Sequence, residues 1–204
     1  NGKGVCGIAG GNAARNIKGV KIMSCQIFDG DDDANGAEAI VWSCNNGAVI
    51  SQNSWGWTKP MNIPASLQNA IKYFTDYAGL DANGVQVGPI AGGIVVFAAG
   101  NENSIQPHGT NSPDAIVVSS VGADYRRAYY SNYGDWVHIA APGGDAQKGN
   151  QVLSTLPKNR YGYMQGTSMA APVVTGIIAL WLQADPALSV RDIYNVLEHS
   201  SVPY

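Results

Sequence analysis

Charge is scarce in this sequence. Asp, Glu, Lys and Arg make up 13% of its 204 residues, and the net charge is −3. No basic face offers itself to nucleic acid, and no run of like charge suggests a solvated tail. Histidine and cysteine number three each. No Cys-x-x-Cys pair or Cys/His spacing points to zinc or dithiol chemistry. Because three is odd, at least one of Cys6, Cys25 and Cys44 is free or paired elsewhere. Cys25 and Cys44 lie among apolar neighbours, so buried, unpaired thiols are expected rather than a disulfide framework. No apolar run is expected to span a bilayer, and the chain reads as soluble with no membrane partner. Repeats, low-complexity tracts and internal linkers are missing, which leaves one domain over residues 1–204. The start, Asn1-Gly2-Lys3-Gly4, has neither an initiator methionine nor a signal peptide, and reads as the middle of something longer.

What is present suits a core of some size. Apolar residues reach 45%, and 25 glycines imply tight turns and close backbone approaches. Short runs rich in Val and Ile predict strands at residues 21–28, 48–55, 94–99, 115–121 and 137–141. Helical spacing recurs between the first two runs, at residues 35–46, and between the second and third, at residues 63–80. Two successive β-α-β units predict a parallel sheet with crossover helices, covered on both faces: a three-layer α/β fold. Residues 168–183 are apolar almost all round and predict a buried helix. Residues 189–200 begin on a serine cap and predict an amphipathic one.

Ligands of open parallel sheets bind beyond the carboxyl ends of the strands. That rule selects Ser54-Trp55-Gly56 and Ala98-Ala99-Gly100-Asn101. A third segment, Gly166-Thr167-Ser168-Met169-Ala170-Ala171-Pro172-Val173, presents a serine where a helix begins. Such a serine is ordinarily an N-cap. It is also where unpaired backbone N–H groups favour developing negative charge. A serine nucleophile needs a base to take its proton and donors aimed at the oxyanion. Ser168 has its own N–H, and Asn101 offers a side-chain amide from the same rim, although a turn residue after Gly100 is the plainer role.

Taken in order, SQNSWGW, VFAAGNEN, VHIAAPG and GTSMAAPVVTG resemble segments of the subtilisin-like serine proteases over nearly the whole chain. The resemblance implies a subtilisin-like catalytic domain in which Ser168 is the nucleophile and Asn101 the side-chain oxyanion donor. It implies that Ser54, Trp55 and Gly56 pair with a substrate backbone, and that Ala98, Ala99 and Gly100 wall the first specificity pocket. Peptide or protein is the implied substrate, and secretion or the cell envelope the implied location. No cofactor is required on this resemblance, though a structural calcium is compatible with it. The acidic run Asp29, Asp31, Asp32 and Asp33 lacks the spacing of a dedicated calcium loop and reads more simply as a solvated turn.

The family's triad runs aspartate, histidine, serine. Nothing upstream of Ser168 resembles its Asp-Ser/Thr-Gly strand end or its His-Gly-Thr-His helix. Residues 1–11 resemble the stretch just downstream of that helix, so the catalytic aspartate and histidine, with the first strand, are expected in a missing N-terminal segment. His108 reads as a loop residue, His138 as a packed or edge residue, and His199 as a charge at a helix C-terminus. The chain alone is therefore expected to be inactive, and its exposed sheet edge to favour self-association or pairing with the missing segment. Val173 stands where many relatives carry a second histidine, a difference in packing. The alternative reading is a noncatalytic peptide-binding module. A lipase-like hydrolase is a third, without the Gly-x-Ser-x-Gly elbow it needs.

Overall fold

The computed structural model describes residues 4–28 and 34–202. A two-residue antiparallel pair, β1 (Gly11–Asn12) and β2 (Ile17–Lys18), opens the chain. There follow α1 (Ala34–Asn45), β3 (Ile50–Asn53), α2 (Ala65–Tyr77), β4 (Ile94–Ala98), β5 (Ile116–Val121) and β6 (Ile139–Pro142). A hairpin of β7 (Val152–Leu156) and β8 (Arg160–Met164) leads into α3 (Thr167–Ala184) and α4 (Val190–Ser200).

The sheet has four parallel strands in the order β3-β4-β5-β6. All of β4 is buried, as a central strand covered on both faces must be. Its side chains sort by the strand period of two. Ile94, Val96 and Ala98 join Ile116, Val118 and the buried face of α3 and α4 in one core. Val95 and Phe97 join Ile40, Leu67, Ile71 and Phe74 of α1 and α2 in the other. Helices, sheet and helices make three layers, the α/β architecture expected.

Residues 21–28, expected as a strand, form none. Propensity favours extended backbone there, but a strand is made by a partner's ladder, and β3 is hydrogen-bonded only to β4. The first of the two expected β-α-β units is therefore incomplete. The helix at residues 168–183 also departs from expectation. It is long and apolar enough, by length and composition, to cross a membrane, contrary to the expected absence of such a run. Here it lies on the sheet and buries one stripe, Thr167, Ala170, Ala171, Val174, Ile178 and Leu182, while Leu180 stays exposed. Its burial is one-sided rather than all round.

The three thiols are free. Cys44 is buried, and burial pushes its thiol pKa up. Cys6 is exposed, and Cys25, expected among apolar neighbours to be buried, is only partly so. The expected α4 cap is present as a reciprocal pair: Ser189 Oγ accepts from the Asp192 N–H, and Asp192 accepts from the Ser189 N–H.

Candidate active site

The carboxyl ends of β3 and β4 and the start of α3 meet around one cavity of about 210 Å³. Ser54, Trp55, Gly56, Ala98, Ala99, Gly100, Asn101 and Ser168 all line it. Sequence separations of more than a hundred residues close here because the strands are parallel and point the same way.

The helix start explains the arrangement. Gly166 precedes α3 with φ 152° and ψ 159°. Only glycine holds that backbone comfortably, although the space around a Cβ there is ordinary. Of the first four N–H groups of α3, those of Met169 and Ala170 donate to the Gly166 carbonyl. The Thr167 N–H donates to Asn101 Oδ1 at 2.8 Å. Of these four, only the Ser168 N–H has no acceptor among the described residues, which is the open donor that a helix start supplies.

Asn101 is thus a cap reaching across from another element. Its Oδ1 also accepts from Thr167 Oγ1 at 3.0 Å. With the oxygen held by two donors, the amide orientation is fixed and Nδ2 is left without an acceptor among the described residues. Thr167 Oγ1 in turn accepts from the Gly100 N–H at 3.1 Å. Gly100 has φ 102°, and a Cβ on it would stand 2.4 Å from Asn132 Nδ2. Asn132 is fully buried; its Nδ2 donates to the Ala99 carbonyl and to Glu102 Oε2, and its Oδ1 accepts from the Glu102 and Ser104 N–H groups. The turn that carries Asn101 is therefore bolted down on both sides.

The nucleophile candidate is tied to the opposite wall through a missing bond. Pro172 lies inside α3 and has no N–H to give to the carbonyl four residues earlier. That carbonyl belongs to Ser168, and it accepts from Ser54 Oγ at 2.9 Å. Ser168 Oγ reaches only the Ser54 carbonyl, at 3.4 Å. The Trp55 ring packs edge-on to Phe97 and Trp57, with Nε1 donating to Asn53 Oδ1. Its side chain serves the core, which leaves the backbone of residues 54–56 to face a ligand. The N–H and carbonyl of Gly56 have no partner among the described residues.

None of the chain's three histidines bonds to Ser168. His138 Nδ1 accepts from the Val117 N–H at 3.1 Å, and His199 Nδ1 contacts the Asn195 carbonyl within α4. His108, read from sequence as a loop residue, lines the cavity and is 3% exposed. Its Nδ1 donates to the Trp57 carbonyl at 3.0 Å and lies 3.6 Å from Glu102 Oε2. Among the described residues no group of three or more His, Cys, Asp or Glu could hold a metal, and Asp29–Asp33 lies outside them.

Sequence reasoning missed Thr167, Asn132 and the position of His108. Thr167 was signalled only by adjacency to Ser168. Asn132 and His108 come from loops far along the chain and carry no local pattern.

A serine at a glycine-gated helix start thus stands with a capping asparagine at the carboxyl end of a parallel sheet. Comparison with known proteins gives the class. The subtilase family model matches residues 2–203, and the chain belongs to that family. It is 33% identical over 190 residues to the thermophilic serine proteinase of Bacillus sp. strain AK1, a match covering 88% of this chain and 42% of that protein. It is 29% identical over 233 residues to fervidolysin of Fervidobacterium pennivorans, covering 100% of this chain and 29% of that protein. Among solved structures, a protease of Pseudoalteromonas arctica PAMC 21717 superposes with a TM-score of 0.67 at 32% identity, over 86% of this chain and 53% of that one. The chain spans less than half the length of these two curated relatives.

Proposed function

We propose that the chain carries the nucleophile and oxyanion hole of a serine endopeptidase. Ser168 Oγ attacks a peptide carbonyl carbon, and its proton passes to a base. The carbonyl oxygen gains the electron pair and is held by Asn101 Nδ2 and the Ser168 N–H. As the tetrahedral centre collapses, the C–N bond breaks and the amine leaves with a proton. Water then releases the acyl group from Ser168 by the same steps in reverse. The observation that carries this reading is the Asn101 amide, its oxygen held by Thr167 and its nitrogen left open beside the one uncapped N–H of α3.

The base is none of the chain's own histidines, whose bonds lie elsewhere. We assign it, with its orienting aspartate, to polypeptide outside these 204 residues. Without a base, only residual catalysis from the oxyanion hole and binding remains. The full-length protein should hydrolyse a generic chromogenic peptide and lose that activity on Ser168→Ala, whereas the 204-residue chain should not turn over measurably. Protease-level turnover by the short chain, abolished by Ser168→Ala, overturns the assignment of the base.

No hydrogen bond joins Ser168 to a histidine among the described residues, which favours a second reading, a peptide-binding module with no chemistry. A full-length protein that binds peptide and leaves it intact would establish that one. Export from the cell and an optional structural calcium accompany the peptidase reading and rest on family resemblance alone.

A further inference from the structure

Residues 57–61 loop around His108, which is 3% exposed. On one side the Trp57 N–H donates to the His108 carbonyl at 3.2 Å, and His108 Nδ1 lies 3.0 Å from the Trp57 carbonyl. On the other, the Met61 N–H donates to the Pro107 carbonyl at 2.9 Å and the Gly109 N–H to the Met61 carbonyl at 2.8 Å. The Trp57 carbonyl can only accept, so Nδ1 carries the hydrogen. Glu102 Oε2, 3.6 Å from Nδ1, favours the hydrogen there as well. One residue thus takes both backbone groups of Trp57, with its main chain on one and its side chain on the other. The next residue seats the Trp57 ring: Gly109 has φ 76°, and a Cβ on it would stand 2.1 Å from Trp57 Cε3.

Trp57 follows the three residues whose backbone is expected to pair with a substrate. Their near end is anchored by the β3 ladder, which runs to Asn53, and by Ser54 Oγ on the Ser168 carbonyl. Between that anchor and Trp57, the N–H and carbonyl of Gly56 have no partner among the described residues. A peptide adds to such an edge through main-chain hydrogen bonds, which need donors and acceptors in register. Each residue beyond the ladder brings two soft dihedrals, so the far anchor decides where the Gly56 groups point.

We propose that His108 is a positioning residue for peptide binding. Its imidazole, by donating to the Trp57 carbonyl, holds residues 54–57 in the register that offers the Gly56 N–H and carbonyl to a substrate backbone. The inference rests on the peptidase reading and gives a role to a side chain that bonds neither Ser168 nor Asn101. Removing the ring leaves the Trp57 carbonyl without that donor and frees the strand's far end. The loss falls on substrate long enough to pair with the strand, in ground state and transition state alike, and so on KM rather than kcat.

Alanine p-nitroanilides of one and four residues, assayed on the full-length protein, test this, because only the longer one extends along residues 54–56. In His108→Leu, KM for the four-residue substrate should rise roughly 10-fold, the cost of a carbonyl left unpaired, and its advantage in kcat/KM over the one-residue substrate should shrink by the same factor. His108→Asn sets an amide N–H where Nδ1 stands and should restore most of the lost affinity. His108→Gln, whose amide falls nearer the Nε2 position, should not. If His108→Leu fails to fold, the Asn and Gln variants still decide. Equal losses on both substrates, a fall in kcat at unchanged KM, or rescue by Gln as good as by Asn overturns the positioning role and leaves the peptidase reading standing. If the full-length protein cleaves neither compound, the peptidase reading falls. Calorimetric titration of the four-residue compound then reads the positioning role by itself: the unaltered and Asn proteins should bind it more tightly than the Gln and Leu ones, and equal affinities overturn it.

Discussion

Around Ser168, polar atoms are held by partners from distant parts of the chain, whereas residues 4–28, among the described residues, hydrogen-bond only to one another. Asn101, Thr167, Gly100, Asn132 and Ser54 bond across separations of 30 to 114 residues. The N-terminal stretch has a two-residue pair of strands and one bond from the Val20 N–H to the Ala9 carbonyl, and it meets the rest of the chain by packing alone, Gly4 against Tyr161 of β8 and Ile8 against Gly176 of α3. Its Ile22 is 90% exposed and its Phe28 77% exposed. Placement to within a hydrogen bond is achieved where elements remote in sequence over-determine one another, and a functional site needs that kind of support. Local stability should follow the same division.

The largest effect expected from breaking the supported side is on Asn101. On the peptidase reading, Asn101→Ala in the full-length protein should lower kcat by about 10²–10³, the figure given for the side-chain oxyanion donor of subtilisin. Thr167→Val removes the hydroxyl that bonds both Asn101 and Gly100. It should cost about 1 kcal/mol in urea unfolding by leaving the partly buried Gly100 N–H unpaired. Its effect on kcat should vanish when Asn101 is already alanine, because Thr167 acts through that amide. Additive losses in the double variant would show that Thr167 touches the reaction by another route.

Much of this side was legible in the sequence. The burial of β4 follows from an unbroken apolar run, and Ser168 and Asn101 stand at the ends of strongly patterned elements. The two-sided core needed only the strand period to be foreseen. What was not legible came from pairing rather than pattern. Residues 21–28 have the composition of a strand and lack the ladder. Asn132 and His108 sit in polar loops whose local sequence says nothing of the cavity they reach. Pro172 was visible, but its consequence, a free Ser168 carbonyl for Ser54 to hold, exists only in three dimensions.

A smaller effect concerns α4, packed on the sheet's supported face. Burial, with the charge of Asp114 second, pushes the Tyr194 pKa up to about 12. The folded state therefore prefers the neutral phenol. Its contribution is fully present below the ordinary tyrosine value near 10 and is lost as pH rises from there through about 12. Roughly 2–3 kcal/mol of stability should disappear over that window. Urea titrations at pH 9 and pH 12 measure it, and Tyr194→Phe should remove its part of the loss. An unchanged pH dependence in that variant would mean the ring is hydrated in solution.

The smallest expected effect lies on the unsupported side, and it can break the comparison outright. Ile22 has a β-branched side chain facing water, where it loses nothing on replacement by a polar residue. Ile22→Ser should therefore shift the unfolding free energy of the 204-residue chain by no more than about 0.5 kcal/mol. Burial of an isoleucine contributes several times that amount, so the two cases separate cleanly in one urea titration. A loss above about 1.5 kcal/mol would show that something covers residues 17–28 in solution. Concentration then identifies the cover: a loss that grows with protein concentration points to a second copy of the chain, and a constant one to the chain's own packing.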